Sequence, residues 1–180
     1  MSNNDTPQEL IDVVDENDRV LGVATRELIY EHHARKRVVN VFVYNPFTQK
    51  FAFQQRGANV KWQPLHIGAS ACGHVQAEEN YRLAAIRETK EEVGLQVNDT
   101  QLIQLGQPVA YDCPDMGQPF MLSNFLVESL QKDFKHDPYE VEQMFLLTLE
   151  ELLDKTRPEP LNNLLKPALI CLKEHAAVLK

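Results

Sequence analysis

The sequence of 180 residues predicts an α/β layered domain. Two observations carry this prediction: several runs are rich in β-branched and aromatic residues, and two segments are helical, one acidic and central, the other amphipathic and late. Sheets and helices in such a mixture bury their apolar faces against one another in layers. With 43% hydrophobic residues, we expect one domain over residues 10–180, preceded by a flexible or disordered segment at 1–9.

Strand patterns dominate the first half of the chain. Residues 11–14 and 19–23 flank a polar turn, which is typical of a hairpin. A short helix is expected over residues 25–31, and a loop over 57–64. Apolar runs and alternating patterns predict the other strands of this half, at 37–44, 50–55 and 66–75.

The second half begins with the acidic helix. Residues 80–93 contain no Gly or Pro, Asn80 suits an N-cap, and Gly94 suits a left-handed C-cap. Thr148–Glu151 has the pattern of a capping box, and a final helix is expected over 161–179, with Pro167 as either a kink or its true start. The strands predicted between these helices are 101–110, 120–128 and 140–147.

Composition limits the partners and the location of the protein. The formal net charge of -8, without a long basic run, disfavours binding to a nucleic-acid polymer. Three widely spaced cysteines suggest reduced thiols in the cytoplasm rather than a disulfide framework. No secretory signal and no membrane-spanning run is apparent, so we expect no membrane partner.

Three glutamates form the most informative cluster. On the predicted helix, Glu88, Glu91 and Glu92 stand at i, i+3 and i+4 and share one face. They repel one another in the last turn, where the helix dipole also disfavours negative charge. Hard divalent cations with oxygen ligands would relieve this repulsion. A solvated acidic face is the alternative for these three residues alone.

The glutamates belong to a longer spaced pattern. Gly73 is followed after five residues by Glu79, then after seven residues by Arg87 and Glu88, and the pattern ends at Glu91-Glu92, Gly94 and Leu95. This pattern resembles the Nudix box, G-x5-E-x7-R-E-U-x-E-E-x-G-U, in which U is a bulky aliphatic residue. Only Thr89, at a U position, departs from it, and we expect a small cost in stability there.

The resemblance implies a fold, a cofactor and a reaction. Nudix domains are α/β/α sandwiches around a mixed sheet, and Nudix enzymes hold Mg2+ or Mn2+ on this helix to cleave a diphosphate linkage in a nucleotide or related small molecule. By this resemblance the catalytic residues are Glu88, Glu91 and Glu92. The implied metal ligands are these three with the Gly73 carbonyl and a late carboxylate, Glu140 or, less closely, Glu142. Glu79, Arg87 and Gly94 are the implied structural residues of the box, and a homodimer is left open.

One branch of the family matches beyond the box. Residues 10–155 resemble isopentenyl-diphosphate isomerase and its hydrolase relatives, and Cys72 and His74 match the isomerase's catalytic cysteine and a metal histidine. However, the two upstream metal histidines would fall near Ile29 and Lys36, and the E-x-E pair of the isomerase is missing. Because the hydrolase box is complete, we expect a hydrolase. An isomerase-like enzyme and a non-catalytic ligand-binding Nudix module remain the alternatives.

Cations are needed for the phosphates that a metal does not touch. Arg56 ends a strand in the manner of a family arginine and is the first candidate. Arg37 and Lys61 are the next candidates, with Arg35 and Lys36 behind them. We therefore expect a small-molecule diphosphate to bind among Arg56, Arg37 and Lys61.

Overall fold

The computed structural model describes residues 9–178 and shows a mixed sheet between helices. The prediction of a flexible segment at 1–9 lies almost wholly outside the described residues. The helices are α1 (Arg26–Glu31), α2 (Tyr81–Val93), α3 (Leu149–Leu152) and α4 (Leu165–Val178). The strands are β1 (Leu10–Val14), β2 (Val20–Thr25), β3 (Lys36–Asn45), β4 (Lys50–Arg56), β5 (Ile67–Gly68), β6 (Ala71–His74), β7 (Ile103–Gln104), β8 (Val109–Cys113), β9 (Gln118–Glu128) and β10 (Val141–Leu147).

Strand β3 is the centre of the sheet. Along the main path the strands follow the order β10-β4-β3-β1-β2, and β6 and β9 also pair with β3. β3 and β9 run parallel from Lys36 opposite Phe120 to Tyr44 opposite Glu128, whereas the other pairs are antiparallel. The sheet is therefore mixed, as predicted.

The two faces of the sheet carry separate cores. Because successive side chains of a strand point to opposite faces, Val39 and Val41 of β3 pack with Ala84 and Ala85 of α2. Phe42 lies on the other face, in a core that includes α3 and the α4 residues Leu165, Ala168, Leu169 and Leu172. Helical layers thus cover both faces, which confirms the predicted α/β/α sandwich.

Three predicted elements need correction. The strand expected over 66–75 is two short strands, β5 and β6. The strand expected over 101–110 is wrong: Gly106 adopts a left-handed φ of 76° and Pro108 offers no N–H donor, so a 3-10 turn and β7 are separated from β8. The final helix starts at Leu165 rather than 161, since Pro160 and Leu161 bridge to β5 at Ile67.

Helix α2 has both predicted caps. The Asn80 side chain accepts a hydrogen bond from the Leu83 amide at 2.9 Å, and Gly94 closes the helix with a left-handed φ of 66°. Thr89 is fully buried, and its hydroxyl donates to the Ala85 carbonyl at 2.6 Å. Thr89 departs from the box pattern, but its hydroxyl has a hydrogen-bond partner inside the helix. None of the helices within residues 9–178 is long and apolar enough to cross a bilayer.

Gly94→Ala should destabilise the protein by at least about 1–3 kcal/mol, because an L-residue is strained at this φ. The added Cβ would also lie 2.6 Å from the Lys135 carbonyl oxygen. Urea unfolding measures this loss. Gly68→Ala is the matched control, since a Cβ there meets the Gln54 side chain at an ordinary 3.8 Å. Equal stability of the two variants would contradict the cap.

Candidate active site

The face of α2 that packs against the sheet includes two buried carboxylates. The buried residues of the helix are Ala84, Ala85, Glu88, Thr89, Glu92 and Val93, which recur at i, i+1, i+4 and i+5. Small alanines let α2 approach the sheet closely. The same approach brings Glu88 and Glu92 against β6, while the Glu91 side chain stays 56% exposed. The three glutamates therefore do not share one environment.

Arg87 connects the loop before α2 to the helix. Its guanidinium donates to both carboxylate oxygens of Glu79, at 3.1 and 2.9 Å, and to the His74 carbonyl at 2.9 Å. It also donates to Glu88 at 2.5 Å and to Glu91 at 3.2 Å. One cation thus faces three carboxylates, and the contact between Arg87 and Glu79 has the form expected of the structural pair in the box.

Burial dominates the electrostatics of the two inner carboxylates. The Glu92 carboxylate accepts hydrogen bonds from the Gln54 side-chain amide and the Cys72 backbone amide, both at 2.8 Å. Burial, reinforced by repulsion from Glu88, raises the pKa of Glu92 to about 8. Burial likewise raises the pKa of Glu88 to about 7, although Arg87 opposes this rise. Both groups resist becoming anions unless further positive charge arrives.

Gly73 provides the space that Glu88 occupies. A Cβ built on Gly73 would lie 2.0 Å from the carboxyl carbon of Glu88, so a side chain there would displace this carboxylate from its position. β6 pairs with β3 at this point, with Gly73 opposite Val39. The glycine therefore lets the helix carboxylate come against the backbone of the strand.

One cavity of about 860 Å3 brings most of the predicted site residues together. Its lining includes the five predicted metal ligands and two of the predicted substrate cations: Gly73, Glu88, Glu91, Glu92, Glu140, Arg56 and Lys61. The predicted structural residue Arg87 lines it too. Burial raises the pKa of Glu140, and repulsion from Asp137 and Glu91 adds to the rise. Glu142, the less favoured carboxylate, does not line this cavity.

Arg37 does not belong to this cavity, which corrects its expected place among the substrate contacts. Its guanidinium donates to the carboxylates of Asp18 at 2.6 Å and Asp12 at 3.2 Å, and it lies over the Tyr81 ring. These contacts tie the first hairpin to β3. In contrast, neither Arg56 nor Lys61 forms an ion pair with any described carboxylate.

The chemistry of the carboxylates suits a divalent cation, but their oxygens do not converge on one point as the ligands of a metal ion would. Within the described part of the chain, no three His, Cys, Asp or Glu side chains converge closely enough to hold a metal. The reason is visible in the contacts of Arg87, which draw Glu88 and Glu91 toward its guanidinium. Glu92 faces only neutral donors among its hydrogen-bond partners. A buried carboxylate held this way lacks a counter-charge, which is a fit for a hard cation.

Two residues of the isomerase comparison lie beside the glutamates. Burial raises the pKa of Cys72 to about 12 and lowers the pKa of His74 to about 3, so both side chains are neutral near pH 7. The His74 Nε2 shares a 3.0 Å hydrogen bond with the Tyr30 hydroxyl. All three cysteines are free. The Nε2 atom of His74 is therefore already hydrogen-bonded within the protein.

A buried lysine stands near an expected metal-histidine position of the isomerase. Lys36 is fully buried, and its ammonium donates to the Gln118 side chain at 2.5 Å. It also lies 4.2 Å from the ring centre of Tyr30 and 4.4 Å from that of Phe120. Ile29, the other position, is a core residue. Neither side chain is a metal ligand in this arrangement.

The sequence prediction missed two cavity residues on α1. Arg26 and Tyr30 both line the cavity, and Tyr30 stacks on Trp62 with ring centres 5.3 Å apart. The Trp62 carbonyl in turn accepts a hydrogen bond from Arg56 at 2.9 Å. The available signal was the i, i+4 spacing of Arg26 and Tyr30 on a predicted helix, which places both on one face.

Comparison with known protein families gives a match to the larger part of the chain. The family model of the NUDIX domain matches residues 34–166, well over half of the chain. The chain belongs to the Nudix family. Its spaced box from Gly73 to Leu95 lies within the matched range, as do β3, α2 and the cavity carboxylates.

Individual proteins match different shares of the chain. An uncharacterized Nudix hydrolase of Nostoc is 39% identical over 57% of this chain and 62% of its own length. An isopentenyl-diphosphate Delta-isomerase of Streptomyces avermitilis is 26% identical over 90% of this chain and 82% of that protein. The crystal structure of DR0079 from Deinococcus radiodurans has a TM-score of 0.73 at 22% identity, covering 91% of this chain and 99% of that chain. The chain thus spans less than two thirds of the Nudix hydrolase it matches.

The metal-free protein should lose stability as the pH rises. Folding raises the pKa of Glu88 and Glu92 above the ordinary 4.5, so the folded chain binds more protons than the unfolded chain. Their stabilising contribution is complete below about pH 4.5 and is lost as the pH rises through about 7–8. We expect the free energy of unfolding in a chelator to fall by at least about 1 kcal/mol from pH 5.5 to 8.5.

Urea unfolding at both pH values tests this expectation. Glu92→Gln is the control, because it removes one titrating group and should flatten the pH dependence. Added Mg2+ should stabilise the protein more at the higher pH, where both carboxylates are anions. A metal-free protein that gains stability over this range would contradict the assignment of the two buried carboxyls.

Proposed function

We propose that this protein is a metal-dependent Nudix hydrolase that cleaves a diphosphate linkage in a nucleotide or related small molecule. One observation carries the proposal: the buried carboxylates of Glu88 and Glu92 face the same cavity as Arg56 and Lys61, cations without an ion-pair partner among the described residues. Carboxylates that need a positive counter-charge and cations that need a negative one thus line the same cavity. A metal diphosphate supplies both.

Each residue has a defined task in this proposal. Glu88, Glu91, Glu92, Glu140 and the Gly73 carbonyl would hold Mg2+ or Mn2+. Such an ion neutralises phosphate charge and lowers the pKa of bound water. A buried glutamate of this group accepts the proton of the attacking water. Arg87 keeps the loop and helix in register through its contacts with Glu79 and the His74 carbonyl. Arg56 and Lys61 bind the phosphate oxygens remote from the glutamates.

The composition supports the remaining partner and location assignments. We propose a small-molecule substrate rather than a nucleic-acid polymer, because the net charge of -8 repels a phosphate backbone. We place the protein in a reducing compartment, the cytoplasm, because all three cysteines are free.

Glu92→Gln should lower the hydrolysis rate by at least about a hundredfold, because it removes a buried acid–base or metal-holding carboxylate. Phosphate release from a panel of nucleotides and other diphosphates, with Mg2+ or Mn2+, measures this rate. Glu150→Gln, at an exposed position of α3, is the matched control and should retain full activity. A near-normal rate for Glu92→Gln, or full activity in a chelator, would show that the box is not the catalytic site.

Arg56→Ala should raise KM about tenfold or more, since a lost charge-assisted contact costs about 1–3 kcal/mol. It should change kcat less, because the contact exists in both the ground state and the transition state. Arg37→Ala is the informative control. It should lower stability, because the ion pairs with Asp12 and Asp18 are lost, and it should leave KM unchanged. If only Arg37→Ala raised KM, the phosphate site would lie elsewhere.

An isomerase-like activity on isopentenyl diphosphate is the second candidate. The observation in its favour is the match to the Streptomyces avermitilis isomerase over 90% of this chain, together with Cys72 beside the glutamates. Against it, the positions expected for two metal histidines fall at buried Ile29 and at the Lys36 ammonium. Binding without turnover in either assay would favour the third reading, a ligand-binding Nudix module.

Cys72→Ala separates the two enzymes. A hydrolase should retain its rate within about threefold, since the half-buried thiol packs against an apolar cluster and has no role in hydrolysis. An isomerase would lose the proton-transfer group and with it all turnover. Proton exchange into isopentenyl diphosphate, followed by NMR in deuterated solvent, provides the readout. Exchange that is present in the unaltered protein and absent in Cys72→Ala would overturn the hydrolase proposal.

A further inference from the structure

A lysine is buried behind the wall of the cavity without a carboxylate partner. Lys36 is fully buried at the start of β3, opposite Phe120 of β9. Its amino group forms no ion pair with any carboxylate in the described part of the chain. Burying an ionisable amine without a counter-charge costs free energy, and an apolar side chain of similar length would avoid that cost. The stability of the fold therefore does not by itself explain a lysine at this position.

Three side chains contact the Lys36 amino group. It donates a hydrogen bond to the Gln118 side chain at 2.5 Å and lies over the rings of Tyr30 and Phe120. A protonated amine is attracted to the negative face of an aromatic ring. The Gln118 side-chain amide also donates to the Tyr30 backbone carbonyl at 3.0 Å. Lys36 and Gln118 thus contact Tyr30 at its ring and at its backbone.

Tyr30 connects this buried group to the side of the cavity that carries Arg56. Trp62 stacks on the Tyr30 ring with an angle of 26° between the ring planes, and both residues line the cavity. The Trp62 carbonyl accepts a hydrogen bond from Arg56 Nε at 2.9 Å. Three consecutive contacts therefore join Lys36, which lies behind the lining, to an arginine that faces the cavity.

The loop that carries Trp62 has a strained backbone. Gln63 and Leu65 adopt left-handed φ angles of 46° and 62°, although neither is a glycine. Residues in this conformation persist only when the surrounding structure holds them there. The ring of Tyr30 is one of the groups that hold this loop, because it stacks on the residue directly before Gln63.

We propose that Lys36 is a positioning residue for the cavity. Its amino group fixes the Tyr30 ring, and this ring in turn fixes Trp62. The Trp62 carbonyl then fixes the direction of the Arg56 guanidinium. A cation that is held in place before an anion arrives loses less conformational entropy when it binds that anion. The effect on Arg56 rests on the proposed function, whereas the effect on Trp62 does not.

Intrinsic fluorescence tests the first part of this proposal, because Trp62 is the only tryptophan in the sequence. Lys36→Met removes the amino group and keeps a side chain of similar length. Burial lowers the pKa of Lys36 to about 7, so the comparison is made near pH 6, where the amine of the unaltered protein is mostly protonated. The variant should shift the emission of Trp62 to longer wavelength and increase its quenching by acrylamide, because the stacked ring is held less firmly.

Two further variants keep this test specific. Ile29→Val is the matched control, since it removes a buried methyl group from α1 beside Tyr30. It should lower Tm and leave the emission of Trp62 unchanged. Gln118→Met removes the acceptor of Lys36 from outside the cavity lining and should shift the emission in the same direction as Lys36→Met. Unchanged emission and quenching in both Lys36→Met and Gln118→Met would overturn the proposal, whether or not the protein hydrolyses a diphosphate.

The affinity for inorganic pyrophosphate with Mg2+, measured by calorimetry, tests the link to Arg56. Lys36→Met should raise the dissociation constant of pyrophosphate by about threefold to thirtyfold. In the Arg56→Ala background the same change should alter it by less than about twofold, because the residue that Lys36 positions is gone. An equal effect in both backgrounds would overturn the proposal, since the charge of Lys36 would then act without Arg56.

The two readouts separate this proposal from the proposed function. If Lys36→Met changed neither Trp62 emission nor pyrophosphate affinity, the positioning role would be wrong and the hydrolase proposal would stand. If the unaltered protein failed to bind pyrophosphate, the proposed function would be contradicted. The emission of Trp62 alone would then decide whether Lys36 positions this wall of the cavity.

Discussion

The close packing of α2 on the sheet is the constraint on which the site depends. Alanines at 84 and 85 allow a short distance between the helix and the strands, and this distance determines how deeply Glu88 and Glu92 are buried. Without that burial the two carboxyls would be ordinary surface acids with an ordinary pKa. With it they are groups that need a counter-charge. The core contact of the helix and the electrostatics of the cavity are consequences of one packing arrangement.

Arg87 offsets part of the cost of burying these carboxylates. Its guanidinium faces Glu79, Glu88 and Glu91, and it also holds the His74 carbonyl. Buried charges are tolerated when they are paired and hydrogen-bonded. A planar guanidinium suits this role, because it donates in several fixed directions at once. The loop from β6 to α2 and the helix carboxylates are therefore held by the same group.

The rest of the cavity is assembled from elements that are far apart in the chain. α1 contributes Arg26 and Tyr30, the loop after β4 contributes Lys61 and Trp62, and the turn before β10 contributes Glu140. The Tyr30–Trp62 stack and the bond from Arg56 to the Trp62 carbonyl connect these walls. The Lys36 amine lies behind them between two aromatic rings, and burial lowers its pKa to about 7.

The sequence alone determined the parts of this protein that depend on local spacing. The box, the caps at Asn80 and Gly94, the hairpin and the layered fold class follow from periodicity and turn chemistry over a few residues. Tertiary structure decided the rest, because burial and long-range contacts have no local signal. Glu88, Glu91 and Glu92 look equivalent in sequence, yet packing buries two and exposes the third. Arg56 and Arg37 are both phosphate candidates in the sequence, yet only the fold commits Arg37 to Asp12 and Asp18 and leaves Arg56 facing the cavity.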